Sequence, residues 1–155
     1  MKNEQGFSLV ELLIVVAIIA IIAAIAVPSL LTSRQSANEA AAIQGCRTLG
    51  SAEIAYAATS GQQYGTMAQM VAGAFVDSRW ALGATIGGFQ YTEDIVITDP
   101  GSGTVVGGAT PGMFGFLGTA QAGGGRYDYE IGVDQVVRWG PTAPATVTSH
   151  DPIGK

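Results

Sequence analysis

Between Leu12 and Val27 the chain reads LLIVVAIIAIIAAIAV, without one polar side chain. The apolar stretch begins at Phe7 and ends at Leu31, interrupted only by Ser8, Glu11, Pro28 and Ser29. As a helix those residues would extend roughly 38 Å, more than the roughly 30 Å of a bilayer's hydrocarbon core. A helix from the core of a soluble domain carries an apolar stripe with polar residues opposite, whereas this one is apolar around its whole circumference. The pattern predicts a membrane-spanning helix over residues 7–31.

From residue 32 to residue 60 the chain turns to Ala, Ser, Gln and Glu, with Leu31, Ala37, Ala41, Leu49, Ala52 and Tyr56 as recurring apolar positions. This predicts an amphipathic continuation, so that one helix runs from Phe7 to about Thr59, roughly 80 Å long. Gly45 and Gly50 either weaken it, by up to about 1 kcal/mol each relative to alanine, or permit close packing. At Gly61 the composition shifts to glycine-rich sequence, predicting a β-rich head over 61–139. A segment of that size builds one small core against the exposed half of the helix.

Within the head, Thr66–Phe75 reads as a short helix. Phe89, Tyr91, Ile95 and Ile97 fall on one face of an alternating run. Tyr127, Tyr129 and Ile131 alternate with Arg126, Asp128 and Glu130, after which Gly132–Gln135 turn the chain into Val136–Trp139. A small antiparallel sheet follows. From Gly140 to Lys155, Pro141, Pro144 and Pro152 argue against a helix or a central strand, leaving an extended tail, free or draped on a neighbour. The fold class is α+β, with the second half of a long N-terminal helix laid on that sheet.

An acidic group at the centre of a membrane helix costs roughly 2.5–3.5 kcal/mol on insertion scales, which makes Glu11 a candidate functional residue. Cleavage between Gly6 and Phe7 would create an ammonium one helical turn away. Within a bundle of such helices, Glu11 of one copy would meet the Phe7 amine of another, and charge pairing would set the register. The bland alternative leaves Glu11 at the headgroup interface near the helix start. Secretory signals place their small-residue cleavage site after the apolar run; here Gly6 precedes it, although Ala20–Ala26 offers a conventional site as a lesser reading. Lys2 and the initiator amine, set against Arg34, weakly favour a cytoplasmic N-terminus. Pro28 lacks the amide that would bond the Ala24 carbonyl, which predicts a kink or break.

The segment GFSLVELLIVVAIIAIIAAIAVPSL, which starts at Gly6 and ends at Leu30, resembles the N-terminal signature of type IV prepilins and of the type II secretion pseudopilins, a match that covers Gly6 to about Leu31. The resemblance implies a leader of residues 1–6 removed by a prepilin peptidase, with Phe7 the N-methylated new terminus. It also implies that Glu11 is the assembly carboxylate and Pro28 the place where the helix can melt in a filament. Ala72–Arg79, AGAFVDSR, and the final hairpin RYDYEIGVDQVVRW are similar, more loosely, to pieces of some type IV pilin heads.

Seven basic residues stand against twelve acidic ones, a net charge of −5, and this balance disfavours direct nucleic-acid binding through phosphates. Removal of the leader takes Lys2 and Glu4 together and leaves the balance unchanged. Cys46, the single cysteine, excludes an intrachain disulfide; it reads as a packing residue, with an intersubunit thiol link as the lesser alternative. His150, the single histidine, lies in the tail, and no second histidine, cysteine cluster or nucleophile motif supports zinc or catalytic chemistry. The glycines around Gly101–Gly108 and Gly123–Gly125 lack the lysine and hydroxyl of a phosphate loop and read as turns. Asp128, Glu130 and Asp134 are weak calcium candidates, more simply a solvated face with ion pairs, since Asp128 and Glu130 alternate outward and the spacing is not that of an EF-hand.

These readings converge on a non-enzymatic subunit without cofactor. It would wait in the inner membrane with its N-terminus cytoplasmic, be processed by prepilin peptidase, and polymerise through the pilus assembly machinery into an extracellular homopolymeric type IV pilus. A type II secretion pseudopilin is the nearest alternative; a signal-anchored binding protein that does not assemble is the more distant one.

Overall fold

The computed structural model describes residues 7–141, 147–148 and 151–153. The chain divides into two compact units, Met1–Arg34 and Gln35–Lys155. Helix α1, Leu9–Thr59, spans 51 residues and passes from the first unit into the second. It starts two residues later than the sequence predicts.

In the second unit, the buried positions of α1 are Glu39, Ala42, Gly45, Cys46, Leu49, Gly50, Ala52 and Glu53. Glu39, Ala42, Cys46, Leu49 and Glu53 recur at intervals of three and four, which is one face of an α-helix. The helix ends among Gly61 and Gln62, both at positive φ. The predicted short helix forms as α2, Met67–Ala72, capped by a reciprocal pair in which Thr66 Oγ1 accepts from the Gln69 amide and Gln69 Oε1 accepts from the Thr66 amide. Ser78–Trp80 make a 3-10 turn in which the Asp77 side chain accepts from the Arg79 amide.

Among the described residues nine short strands follow: β1 Thr85–Ile86, β2 Phe89–Thr92, β3 Val96–Thr98, β4 Val105–Gly107, β5 Gly115–Ala120, β6 Asp128–Gly132, β7 Val137–Gly140, β8 Val147–Thr148 and β9 Asp151–Pro152. They build a six-stranded antiparallel sheet, β1-β2-β5-β6-β7-β9, and a three-stranded one, β4-β3-β8, whose β3–β8 pair is parallel. The expected hairpin is β6–β7, with Tyr129 opposite Trp139 and Ile131 opposite Val137. The tail supplies β8 and β9, each at the edge of a sheet, and Pro152 sits on β9, where a missing amide is tolerated.

The main core lies between α1 and the six-stranded sheet, where Cys46, Leu49, Met70, Phe89, Phe116 and Ile131 are fully or almost fully buried. Gly45 and Gly50 serve close packing, as one of the two sequence readings had it. A Cβ on Gly45 would press into the Tyr91 hydroxyl and stand 2.9 Å from Trp80, and one on Gly50 would stand 2.8 Å from Ile131.

The second sheet was not foreseen. It covers the outer face of the first, closing a small core of Ile95, Ile97 and Leu117. Ile95 and Ile97 therefore do not continue the Phe89–Tyr91 face as the alternating run suggested. A turn at Glu93–Asp94, with Asp94 at φ 61°, breaks the run and sends β3 into the other sheet. Where the sheets cross, a Cβ on Gly115 or Gly132 would strike the Ile95 or Val106 carbonyl, so glycine is required for the approach.

Candidate processing and assembly segment

Residues 9–31 form the first part of α1, and its large apolar side chains are exposed all round, from Leu9 at 78% to Leu31 at 55%. The most apolar 18-residue window has a mean hydropathy of 3.2 and none of it is buried. An apolar surface of this extent on a soluble chain marks a membrane or a partner as its natural surroundings.

Glu11 sits in the first turn of α1. Its Oε2 accepts a hydrogen bond from the Ser8 amide at 3.0 Å, while Ser8 Oγ accepts from the Val10 amide at 3.3 Å. Ser8 and Glu11 thus make a capping-box arrangement that satisfies two of the otherwise orphaned amides at the helix start. Phe7 stands just ahead of it, 82% exposed. Gly6 lies outside the described residues.

Helix α1 continues through Pro28 without interruption. The melting that the resemblance implies there concerns the filament, not the single chain. The proline still leaves the Ala24 carbonyl without its helical donor, and Thr32 Oγ1 donates to the Ser29 carbonyl at 2.9 Å and lies 3.2 Å from that of Pro28.

A family model described as the prokaryotic N-terminal methylation motif matches residues 1–27. The chain carries the prepilin-type signature. Together with the long apolar helix and the α+β fold, it fits the type IV pilin and pseudopilin family. No curated protein matches the chain.

In the head, the structure separates the three weak calcium candidates and corrects the solvated reading. Asp128 and Glu130 are fully buried on the outer face of β6, because the second sheet covers that face. Asp128 Oδ1 accepts from the Ala120 amide at 2.8 Å. Asp134 is partly exposed and pairs with Arg138. Arg138, opposite Glu130 on β7 and only 2% exposed, also reaches Asp99 at 3.6 Å. Among the described residues no group of three or more His, Cys, Asp or Glu side chains is placed to hold a metal ion.

Cys46 is buried, and burial pushes its thiol up to about 12, so in this fold it is a packing group out of reach of a second subunit. His150 lies outside the described residues. Two acidic groups on α1 went unremarked in the sequence. Glu39 accepts from the Arg126 amide at 2.7 Å and from its guanidinium at 3.2 Å; that guanidinium holds the carboxyl below the usual range. Glu53, with no exposed surface, accepts from the Gly65 amide at 2.9 Å, and its Oε1 has no partner. Burial pushes Glu53 up to about 7, the Gly65 bond working against the shift and Glu93 and Asp94 adding to it. Their spacing from Ala42, Cys46 and Leu49 was the signal that places both on the buried face.

Proposed function

We propose that the chain is the structural subunit of a type IV pilus. Prepilin peptidase cuts it between Gly6 and Phe7, Phe7 is N-methylated, and the pilus assembly machinery draws the helix from the inner membrane into a helical homopolymer outside the cell. The supporting observation is the methylation motif standing at the head of a helix whose apolar residues are exposed around its circumference. Lipid covers that surface before assembly, and the same surface of other copies covers it afterwards, so the exchange costs little apolar burial. Glu11 is the one charge in the exchange, and the new Phe7 ammonium, close to the Ser8–Glu11 cap, is its counter-charge in a neighbouring copy. No step of this requires a bond to be made or broken by the chain itself.

Mass analysis of protein sheared from the cell surface tests the proposal. Filament-forming material whose first residue is methylated Phe7 is the expected result, with Gly6→Val blocking the cut and leaving membrane-bound precursor. Material that begins at Met1, or after residue 26, overturns it. Processed protein confined to the periplasm, with secretion lost on deletion, transfers it to the pseudopilins.

A further inference from the structure

The charges of the head do not close within one chain. Among its described cations, Arg79 pairs with Asp77 at 2.8 Å, Arg126 with Glu39 at 3.2 Å, and Arg138 with Asp134 and Asp99. Arg47, exposed on the solvent face of α1, has no carboxylate partner among the described residues. It lines a groove of about 380 Å3 with Gln44, Thr48, Ser51, Ala55 and Phe75.

The opposite imbalance stands elsewhere on the head. Glu93 and Asp94 lie side by side in the turn between β2 and β3, with Glu53 buried behind them. Glu93 accepts from the Met67 amide, and Asp94 Oδ1 accepts from the Thr110 amide at 3.0 Å. No described cation pairs with any of the three. Glu53 Oε1 is fully buried and takes no hydrogen bond, so it lies out of reach of a cation on another copy, and Asp94 is the exposed charge of the three.

Arg47 cannot meet this cluster in its own chain. Arg47 and Glu53 are six residues apart on one helix, about 9 Å along the axis and about 120° around it, which puts them on different faces. A contact between two unlike patches on identical chains is heterologous, and when its rotation does not close, it propagates as an open polymer.

We propose that the Glu93–Asp94 turn of one copy docks in the Arg47 groove of a second copy, a contact between neighbouring heads that rests on the filament reading. Asp94, the exposed member, meets the guanidinium, and Glu93 stands beside it on the same turn. The partner is thus identified by charge: a cation exposed on a helix face and an acidic turn whose Asp94 is exposed, both carried by every subunit.

Disulfide trapping in assembled full-length protein tests the contact. In a Cys46→Ala background, Arg47→Cys together with Asp94→Cys should give a ladder of linked dimers, trimers and higher species on mild oxidation, while either cysteine alone gives at most dimers. A double-cysteine filament that runs only as monomer overturns the contact and leaves the filament reading intact; absence of processed polymer from the native chain removes the filament reading itself. Neutral variants provide a second measurement should the cysteine chain fail to assemble. Arg47→Gln and Asp94→Asn, the latter keeping an acceptor for Thr110, should each lower sheared polymer roughly fivefold, as expected for about 1 kcal/mol in an exposed pair, and the double variant should be no worse than either single one. Independent, multiplying losses, or no loss, overturn the pairing.

Discussion

At Glu53 a carboxylate that ordinarily titrates near 4.5 is held at about 7, chiefly by loss of water. The folded chain therefore binds this proton more tightly than the unfolded chain does. The stabilisation is fully present below the unfolded value and is lost as pH rises through about 7. Each pH unit separating the folded from the unfolded titration is worth about 1.4 kcal/mol. With some relaxation around the Gly65 bond, the loss is on the order of 2 kcal/mol. Full-length protein in detergent should accordingly have a head that melts lower at pH 8 than at pH 5. Glu53→Gln, which still accepts from Gly65, should raise the pH 8 melting temperature and flatten that slope; an unchanged slope would show that other groups set it. Gly45 makes a second case at this scale. Alanine is the better helix former by about 1 kcal/mol, yet Gly45→Ala should destabilise the head by about 1–3 kcal/mol through overpacking against Tyr91 and Trp80. A melting temperature raised by this change would mean that the two rings shift aside freely.

Among the elements, legibility follows periodicity. The run from Leu12 to Val27 has only one reading as a helix, and the alternation of Tyr127, Tyr129 and Ile131 marks β6 because those side chains face α1. The same alternation misplaced Asp128 and Glu130. Period two says which residues share a face and is silent about what covers the other, so the arrival of β3, β4 and β8 was invisible from β6 itself. Ile95 and Ile97 failed for a related reason: the left-handed turn at Asp94 preserves the spacing of apolar residues while sending them to a different core. In α1 the apolar positions read from the sequence include Leu49 and Ala52, which are buried, but also Ala37 and Ala41, which are exposed; the buried face runs instead through Glu39, Ala42, Cys46 and Glu53, where two carboxylates interrupt the apolar signal. Pro28 stands apart from this, since its helix is unbroken in one chain while the Ala24 carbonyl is left short of a donor. Packing among many copies supplies a reason for that weak point to open. A filament map should lose helical order around residues 24–30 in the native chain and keep it in Pro28→Ala; unbroken helix in both would remove Pro28 as a hinge.

For the whole molecule, the question is what Glu11 does before and after assembly. In the single chain its carboxylate caps the helix by accepting from the Ser8 amide, a role that a neutral amide oxygen fills nearly as well. In the proposed filament it answers an ammonium in another copy, a role that requires charge. Glu11→Gln separates the two. It keeps an acceptor at the third position of the helix, so the helix start, membrane insertion and the cut at Gly6 should all persist. An uncompensated ammonium inside an apolar bundle costs several kcal/mol, so surface polymer should fall at least tenfold while processed, membrane-held subunit accumulates. Glu11→Ala, which loses cap and charge together, should assemble no better. If the glutamine chain instead polymerises like the native one, Glu11 is a capping residue only, and register among the helices must come from their apolar shape and from head contacts such as that of Arg47 with Asp94.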